Sequence, residues 1–309
     1  MSASWWIIVL SWNGREDTLS CVRSLRSLNS ENVGIVVVDN ASTDGSAEAV
    51  QQKFPDIALL ENGRNLGFSG GNNVGIRHAL ANGADWVVLV NNDAVLAPDA
   101  IERLRAAASV RPAAGMLAGK VFFDRPPDRI WFAGQRFLPA FGYSGRPRGY
   151  GRQDAPEYRR PGPTDRAAGA FMAVSREVIE AVGMLDDELF AYVEDVDWSM
   201  RARRAGFEVW FVPDAIAWHR VSASTGGERA STHALYYGVR NTIVVSERHL
   251  ALRQPLHHLR RWLIFAVFLF QAVALSEGRR EFVAAVRDGY RDAVAGRMGE
   301  RPVAFSKSP

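Results

Sequence analysis

Short apolar runs alternate with stretches of helical spacing through the first third of the chain. Trp5–Leu10, Gly34–Asp39, Ala58–Leu60 and Trp86–Asn91 read as strands. Between and after them, Asp17–Leu28, Ser46–Lys53, Gly71–Ala81 and Asp99–Ala108 repeat apolar residues at three- and four-residue intervals and read as helices. Strands that are apolar throughout and separated by helices predict an α/β fold with a mostly parallel sheet covered on both faces. In such sheets a ligand lies at the carboxyl ends of the strands. Three of these strands run into polar residues there: Ser11-Trp12-Asn13, Asp39-Asn40 and Asn91-Asn92-Asp93. One such end is ordinary turn chemistry; three in one sheet predict a shared pocket.

Further along, Arg176–Val182 and Asp195–Ala205 have helical spacing, Glu208–Val212 reads as a strand, and the chain from Ser231 onward reads as helices. Residues 124–164 are rich in Pro and Gly and carry eight Arg against four Asp/Glu. They read either as a lid or docking surface for an anionic acceptor, or as a solvated insertion. The division predicted is a catalytic domain over 1–230, with a nucleotide-binding half (1–110) and an acceptor half (111–230), followed by a helical region over 231–309.

The chain has 309 residues, 47% of them hydrophobic, enough for a sizeable core. A single cysteine, Cys21, excludes an internal disulfide and fits a reducing compartment. The apolar run after Met-Ser-Ala-Ser has no basic segment before it and no cleavage signal behind it, so it reads as a buried strand rather than a signal peptide. Charge is uneven: residues 250–309 hold ten Arg/Lys and five Asp/Glu, and the rest of the chain is slightly acidic. That basic excess flanks Trp262–Leu275, 14 residues with one polar member, Gln271. Spanning a bilayer takes about 20 residues, so the run predicts a helix lying on a membrane surface or buried in a subunit contact such as a homodimer. No motif points to nucleic acid.

Five motifs occur in order: Leu10-Ser-Trp-Asn-Gly14, Val38-Asp-Asn-Ala-Ser-Thr-Asp-Gly-Ser46, Asn65-Leu-Gly-Phe-Ser-Gly-Gly-Asn-Asn73, Asn91-Asn-Asp93 and Glu194-Asp-Val-Asp-Trp198. Together they make residues 5–245 resemble the family 2 glycosyltransferases of the GT-A fold, especially the bacterial rhamnosyltransferase-like branch. The resemblance implies an inverting, metal-dependent transfer of a sugar from a dTDP- or UDP-sugar, with dTDP-L-rhamnose favoured, to a glycan or lipid-linked acceptor. It implies a cytoplasmic enzyme, peripheral at the inner face of the cell membrane.

For the donor it implies contacts from Ser11, Asn13, Asp39, Asn65, Gly67, Asn72, Asn73, Asn91, Asn92 and Arg240, with Asp39 accepting from the base N3–H. Asp44, in the same region, reads as a helix cap. For the metal, Mg²⁺ or Mn²⁺, it implies Asp93 and His219, the His preceding Ser222-Ala-Ser-Thr225, a run suited to phosphate oxygens. Asn91 stands where the family commonly has a first acid. An inverting transfer needs one base for the acceptor proton. By resemblance that base is Asp195, with Glu194 its neighbour and rival, and with Asp197, Trp198, Gly169 and Ala170 on the acceptor side.

Two other readings compete. A dinucleotide-dependent oxidoreductase, or a sugar nucleotidyltransferase, needs a Gly-rich first turn, and Ser11-Trp12-Asn13-Gly14 stands there instead. A non-catalytic sugar-nucleotide-binding protein has no need of both Asp93 and Asp195.

Overall fold

The computed structural model describes residues 3–138, 145–221, 231–250, 252, 254–274 and 279–301. Its first half follows the apolar pattern closely. Strands β1 (Trp5–Ser11), β2 (Val33–Asp39), β3 (Ala58–Glu61) and β4 (Trp86–Asn91) pair in parallel in the order β3-β2-β1-β4. Ile7, Ile8, Val9, Val36, Val37, Val38, Val88 and Leu89 are fully buried, as a sheet covered on both faces requires. Helices α1 (Arg15–Arg26), α2 (Ser46–Lys53) and α3 (Gly67–Ala81) connect these strands. Gly71 lets α3 lie directly on the sheet, since a Cβ there would stand 2.4 Å from Leu10 Cδ1.

Two helices begin earlier than their spacing predicts, for polar reasons that an apolar pattern does not carry. Asp44 accepts from the Arg15 N–H at the start of α1 and from the Ser46 N–H at the start of α2, so it serves two helices. Asn65 accepts from the Gly67 N–H at the head of α3, where φ is +72°.

The second half makes the sheet mixed. After β5 (Ala94–Leu96) and α4 (Ala100–Val110) come β6 (Ala114–Phe123), β7 (Ile130–Phe132), β8 (Gly162–Pro163) and β9 (Phe171–Ser175). Next are α5 (Arg176–Val182), α6 (Glu194–Arg204) and β10 (Glu208–His219). The sheet continues β4-β9-β6-β10-β5, with β9 antiparallel to both β4 and β6. The parallel character predicted from the apolar runs thus holds for the nucleotide half, and β9 reverses it beyond. The predicted halves share one core, which runs from Trp5 to Ala217.

β10 extends to His219 rather than ending at Val212. Its parallel pairing with β6 breaks between Val212 and Ile216 and then resumes, with Ile216 opposite Lys120. Pro213, which has no N–H for a ladder, sits in this bulge. Helices α7 (Thr232–His249), α8 (Leu256–Ala274) and α9 (Arg279–Ala295) pack on one another around Leu235, Val239, Ile243, Ile264 and Val286. No helix among the described residues is long and apolar enough to cross a membrane.

Candidate active site

The polar strand ends meet in one cavity of about 870 Å³. Asn40, Asn65, Gly67, Asn91, Asn92 and Asp93 line it from the nucleotide side. Gly169, Ala170, Glu194 and Asp195 line it from the other, and His219 at the end of β10 lies against Asp93.

On the nucleotide side the amides of the lining are fixed by hydrogen bonds within the fold. The side-chain oxygen of Asn40 accepts from Asn62 Nδ2 and the Leu66 N–H, both at 3.0 Å, and its Nδ2 donates to Asn65 Oδ1 at 2.8 Å. Asn92 donates to Thr18 Oγ1, which also bonds Ser11 Oγ. Asn13, at φ 50°, accepts from the Thr43 N–H at 2.8 Å and ties the first turn to the second. Asp39 accepts from the Ser42 N–H through Oδ2, while its buried Oδ1 has no partner among the described residues. A buried acceptor left open in this way suits a donor N–H.

At the end of β4, Asp93 Oδ1 lies 2.9 Å from His219 Nε2, and both side chains are almost fully buried. The register of β10 on β5 brings them together, since His219 stands opposite Ala94. Asn91 Nδ2 approaches the same imidazole nitrogen at 3.3 Å, and Trp131 meets the ring edge-on. A carboxylate and an imidazole facing the same space fit a divalent ion that takes its remaining oxygens from a diphosphate. Among the described residues no group of three or more His, Cys, Asp or Glu gathers to hold a metal without such a ligand. Ser222–Thr225 lies outside the described residues.

Opposite, Asp195 begins α6. Its Oδ2 accepts from Arg166 Nη2 at 2.6 Å, Arg166 Nε at 3.0 Å and the Gly169 N–H at 3.0 Å. Its Oδ1 is buried and has no partner among the described residues. One oxygen is therefore held and the other left open. Glu194 beside it is also buried, and burial together with the Asp195 charge pushes its carboxyl up to about 8.

Several predicted site residues serve the framework instead. Arg240 is fully buried and does not line the cavity. Its guanidinium donates to the carbonyls of Gly299, Glu188 and Leu189, and Asn241 donates to those of Leu189, Ala191 and Tyr192. That loop needs holding: Phe190, Tyr192 and Val193 all have positive φ, which is costly for bulky and β-branched residues. Arg240 thus fixes the loop leading into Glu194 and is not placed to meet a diphosphate.

Trp198 is likewise buried, its indole N–H on the Gly183 carbonyl, so it faces the core rather than an acceptor. Asp197 is spent on Arg201 and His249: burial raises its carboxyl, but these partners hold it below the usual range. Asn73 is committed to Leu185 and Asp187, and Asn72 to the Phe68 carbonyl one turn back. Ser11, Asn13 and Asp39 also stand outside the lining. Sequence reasoning missed Arg166, Asn40, Trp12 and Arg301, all of which line the cavity. Asn40 was visible as a polar strand end. Arg166 meets Asp195 only across 29 residues of chain, which no local pattern encodes.

The chain is similar to known proteins in both sequence and fold. Residues 6–183 match the model of glycosyl transferase family 2. The chain is 31% identical over 236 residues to an N-acetylglucosaminyl-diphospho-decaprenol L-rhamnosyltransferase of Mycobacterium tuberculosis, covering 70% of this chain and 76% of that one. It is 25% identical to the dTDP-rhamnosyl transferase RfbF of Shigella flexneri, over 96% and 98% of the two chains. A mannosyltransferase of Pyrobaculum calidifontis, solved with GDP-Man and Mn²⁺, has the same fold at a TM-score of 0.61 and 17% identity, over 96% of this chain and 88% of its own. GalNAc-T7, solved with UDP, GalNAc and Mn²⁺, follows at 0.56 and 13%, over 84% and 54%. The chain belongs to glycosyl transferase family 2: it is a glycosyltransferase of the GT-A fold that takes its sugar from a nucleotide-sugar donor.

Proposed function

We propose that the enzyme transfers L-rhamnose from dTDP-L-rhamnose, with inversion, to a lipid-diphosphate-linked glycan acceptor in cell-surface polysaccharide assembly. The observation that carries this reading is the pairing of Asp93 with His219 on one side of a cavity and the half-open Asp195 on the other. The names of the two rhamnosyltransferase relatives support the choice of sugar. A UDP-sugar is the second reading, supported by GalNAc-T7, a protein of the same fold solved with UDP.

Asp93 and His219 would hold Mg²⁺ or Mn²⁺, which supplies charge to the departing diphosphate. The acceptor oxygen bonds the anomeric carbon as the bond to the diphosphate breaks, and its proton passes to Asp195 Oδ1. Arg166 and Gly169 keep the other oxygen fixed throughout. Burial and the neighbouring Asp195 charge favour the protonated form of Glu194, which supports Asp195 rather than Glu194 as the base. Nucleotide-sugar turnover should therefore be lost in excess EDTA and return with Mg²⁺ or Mn²⁺, and full transfer in EDTA would overturn the metal assignment. A panel of dTDP- and UDP-sugars in the same assay decides the donor.

The membrane surface enters through α8, where Leu256, Leu259, Trp262, Val267, Phe270 and Val273 are exposed along one face. Such a stripe beside a basic chain end suits an anionic bilayer interface. Full-length Trp262→Ser/Phe270→Ser should lose flotation with phosphatidylglycerol vesicles that the wild type shows. Equal flotation of both would remove α8 from that role.

A further inference from the structure

The Arg-rich stretch after β6 has a structure of its own beside the active site. Arg136, Arg148 and Arg160 surround a second cavity of about 180 Å³, floored by Phe211 and Thr164, and no Asp or Glu among the described residues lines it. Their charges are poorly neutralised. Arg160 has no carboxylate partner among the described residues. Arg148 donates to the Glu157 carbonyl and lies over the Tyr158 and Phe211 rings, so its charge is positioned but unpaired. Arg136 has a long contact of 3.5 Å to Asp165, a carboxylate that Arg203 holds at 2.9 Å. Three guanidinium groups gathered on a recess, with only the shared Asp165 near one of them, are matched by phosphate oxygens.

The two cavities share a wall. Gln135 lines the small one and accepts from Arg166 Nη1 at 2.9 Å, and the same guanidinium grips Asp195. Gln135 is itself fixed by Thr164, which bonds both its N–H and its carbonyl. An anion in the small cavity therefore lies one hydrogen-bonded link, Gln135 to Arg166, from the group that holds the proposed base.

We propose that the pocket of Arg136, Arg148 and Arg160 binds the diphosphate of the acceptor, so that the acceptor is gripped by its own phosphates while its sugar hydroxyl reaches Asp195. This rests on the lipid-diphosphate acceptor reading given above. It assigns separate sites to two diphosphates: the donor's at Asp93 and His219, the acceptor's at the arginines. It also explains why so much positive charge is placed on a stretch that contributes little to the main core.

The test uses the full-length enzyme, Arg148→Gln/Arg160→Gln, and Arg160→Glu, whose exposed side chain has no packing role to lose. Inorganic pyrophosphate binding is measured in EDTA with saturating dTDP, which blocks the donor site. Transfer is measured to two synthetic acceptors with the same sugar and short lipid, one joined through a diphosphate and one a plain glycoside. The expected result is pyrophosphate binding by the wild type that weakens about tenfold or more in both variants, from one or two lost charge-assisted contacts. The acceptor KM should rise by a similar factor for the diphosphate compound alone, with kcat and donor hydrolysis unchanged.

If the wild type prefers the diphosphate acceptor and the variants keep that preference, the pocket assignment is wrong and the acceptor reading stands. If the wild type uses both acceptors equally well, the acceptor reading itself fails, and the pocket falls with it. If the variants lose only binding to phosphatidylglycerol vesicles, the arginines meet lipid headgroups and the proposal is overturned.

Discussion

The two walls of the main cavity are built from different chemistry. Apart from Asp93 and its His219 partner, the nucleotide wall is made of neutral amides, with Asn40 at its centre, satisfied by backbone N–H groups and by each other. The acceptor wall is made of charges: Asp195 on Arg166, Glu194 beside them, and a loop of positive-φ residues tied down by Arg240 and Asn241. Amides are indifferent to pH and hold a base or sugar in one orientation. Buried carboxylates change with pH and can take up a proton. Each wall should therefore fail in its own way when altered: the first in donor affinity and stability, the second in turnover and pH response.

The sharpest way to break this contrast is at the base. Asp195→Asn keeps the shape but removes the proton acceptor, and should lower kcat by about a hundredfold or more, the lower end of what a general base contributes. Donor affinity, read by calorimetry with dTDP-sugar, should change little. Near-normal turnover in this variant with loss in Glu194→Gln would move the base to Glu194.

A smaller effect is expected on the amide wall. Asn40→Ala leaves the Leu66 N–H and two amide side chains without their partner, and should destabilise the fold by about 1–3 kcal/mol. The loss should appear in urea denaturation equally at pH 6 and pH 8, together with weaker donor binding. A loss that varied with pH would show that the wall is not as neutral as its residues suggest.

A third effect is read as a pH dependence and concerns Glu194. Its carboxyl titrates at about 8 in the fold against 4.5 as an ordinary glutamate. The folded protein therefore keeps a proton that the unfolded chain releases, and this contribution to stability is full below 4.5 and is lost as pH rises to about 8. Glu194→Gln has no proton to lose, so its stability relative to the wild type should increase from pH 5 to pH 8 and then level off. A constant difference over that range would show that Glu194 is not the titrating group.

How much of this the sequence disclosed follows the same division. The nucleotide half was legible because its strands are apolar throughout and its polar residues sit next to them in the chain: Asn91, Asn92 and Asp93 are where the end of β4 puts them. β9 escaped notice because Phe171–Ser175 is a short apolar run with no periodicity to distinguish it from buried loop. Arg240, Trp198 and Asp197 were misplaced for a related reason. They lie in motifs of the family, but whether a side chain faces a ligand or the core depends on partners tens of residues away, such as Leu189 for Arg240, Gly183 for Trp198 and His249 for Asp197.

The bulge at Pro213 in β10 has a consequence for which changes of chain length the protein tolerates. Neighbouring residues of a strand point to opposite faces, so a slip of one residue turns a whole strand over. Three residues, 213–215, stand between the two registers of β10 on β6 and set the side on which His219 emerges. A single-residue insertion beside exposed Arg152 leaves that parity alone. The same insertion within 213–215 is absorbed only if the bulge swells; otherwise it turns the imidazole away from Asp93. Among variants of this chain that differ in length here, those that keep the Asp93–His219 pair should therefore confine the added residue to the bulge and keep Ile216–His219 in register with Lys120–Phe123.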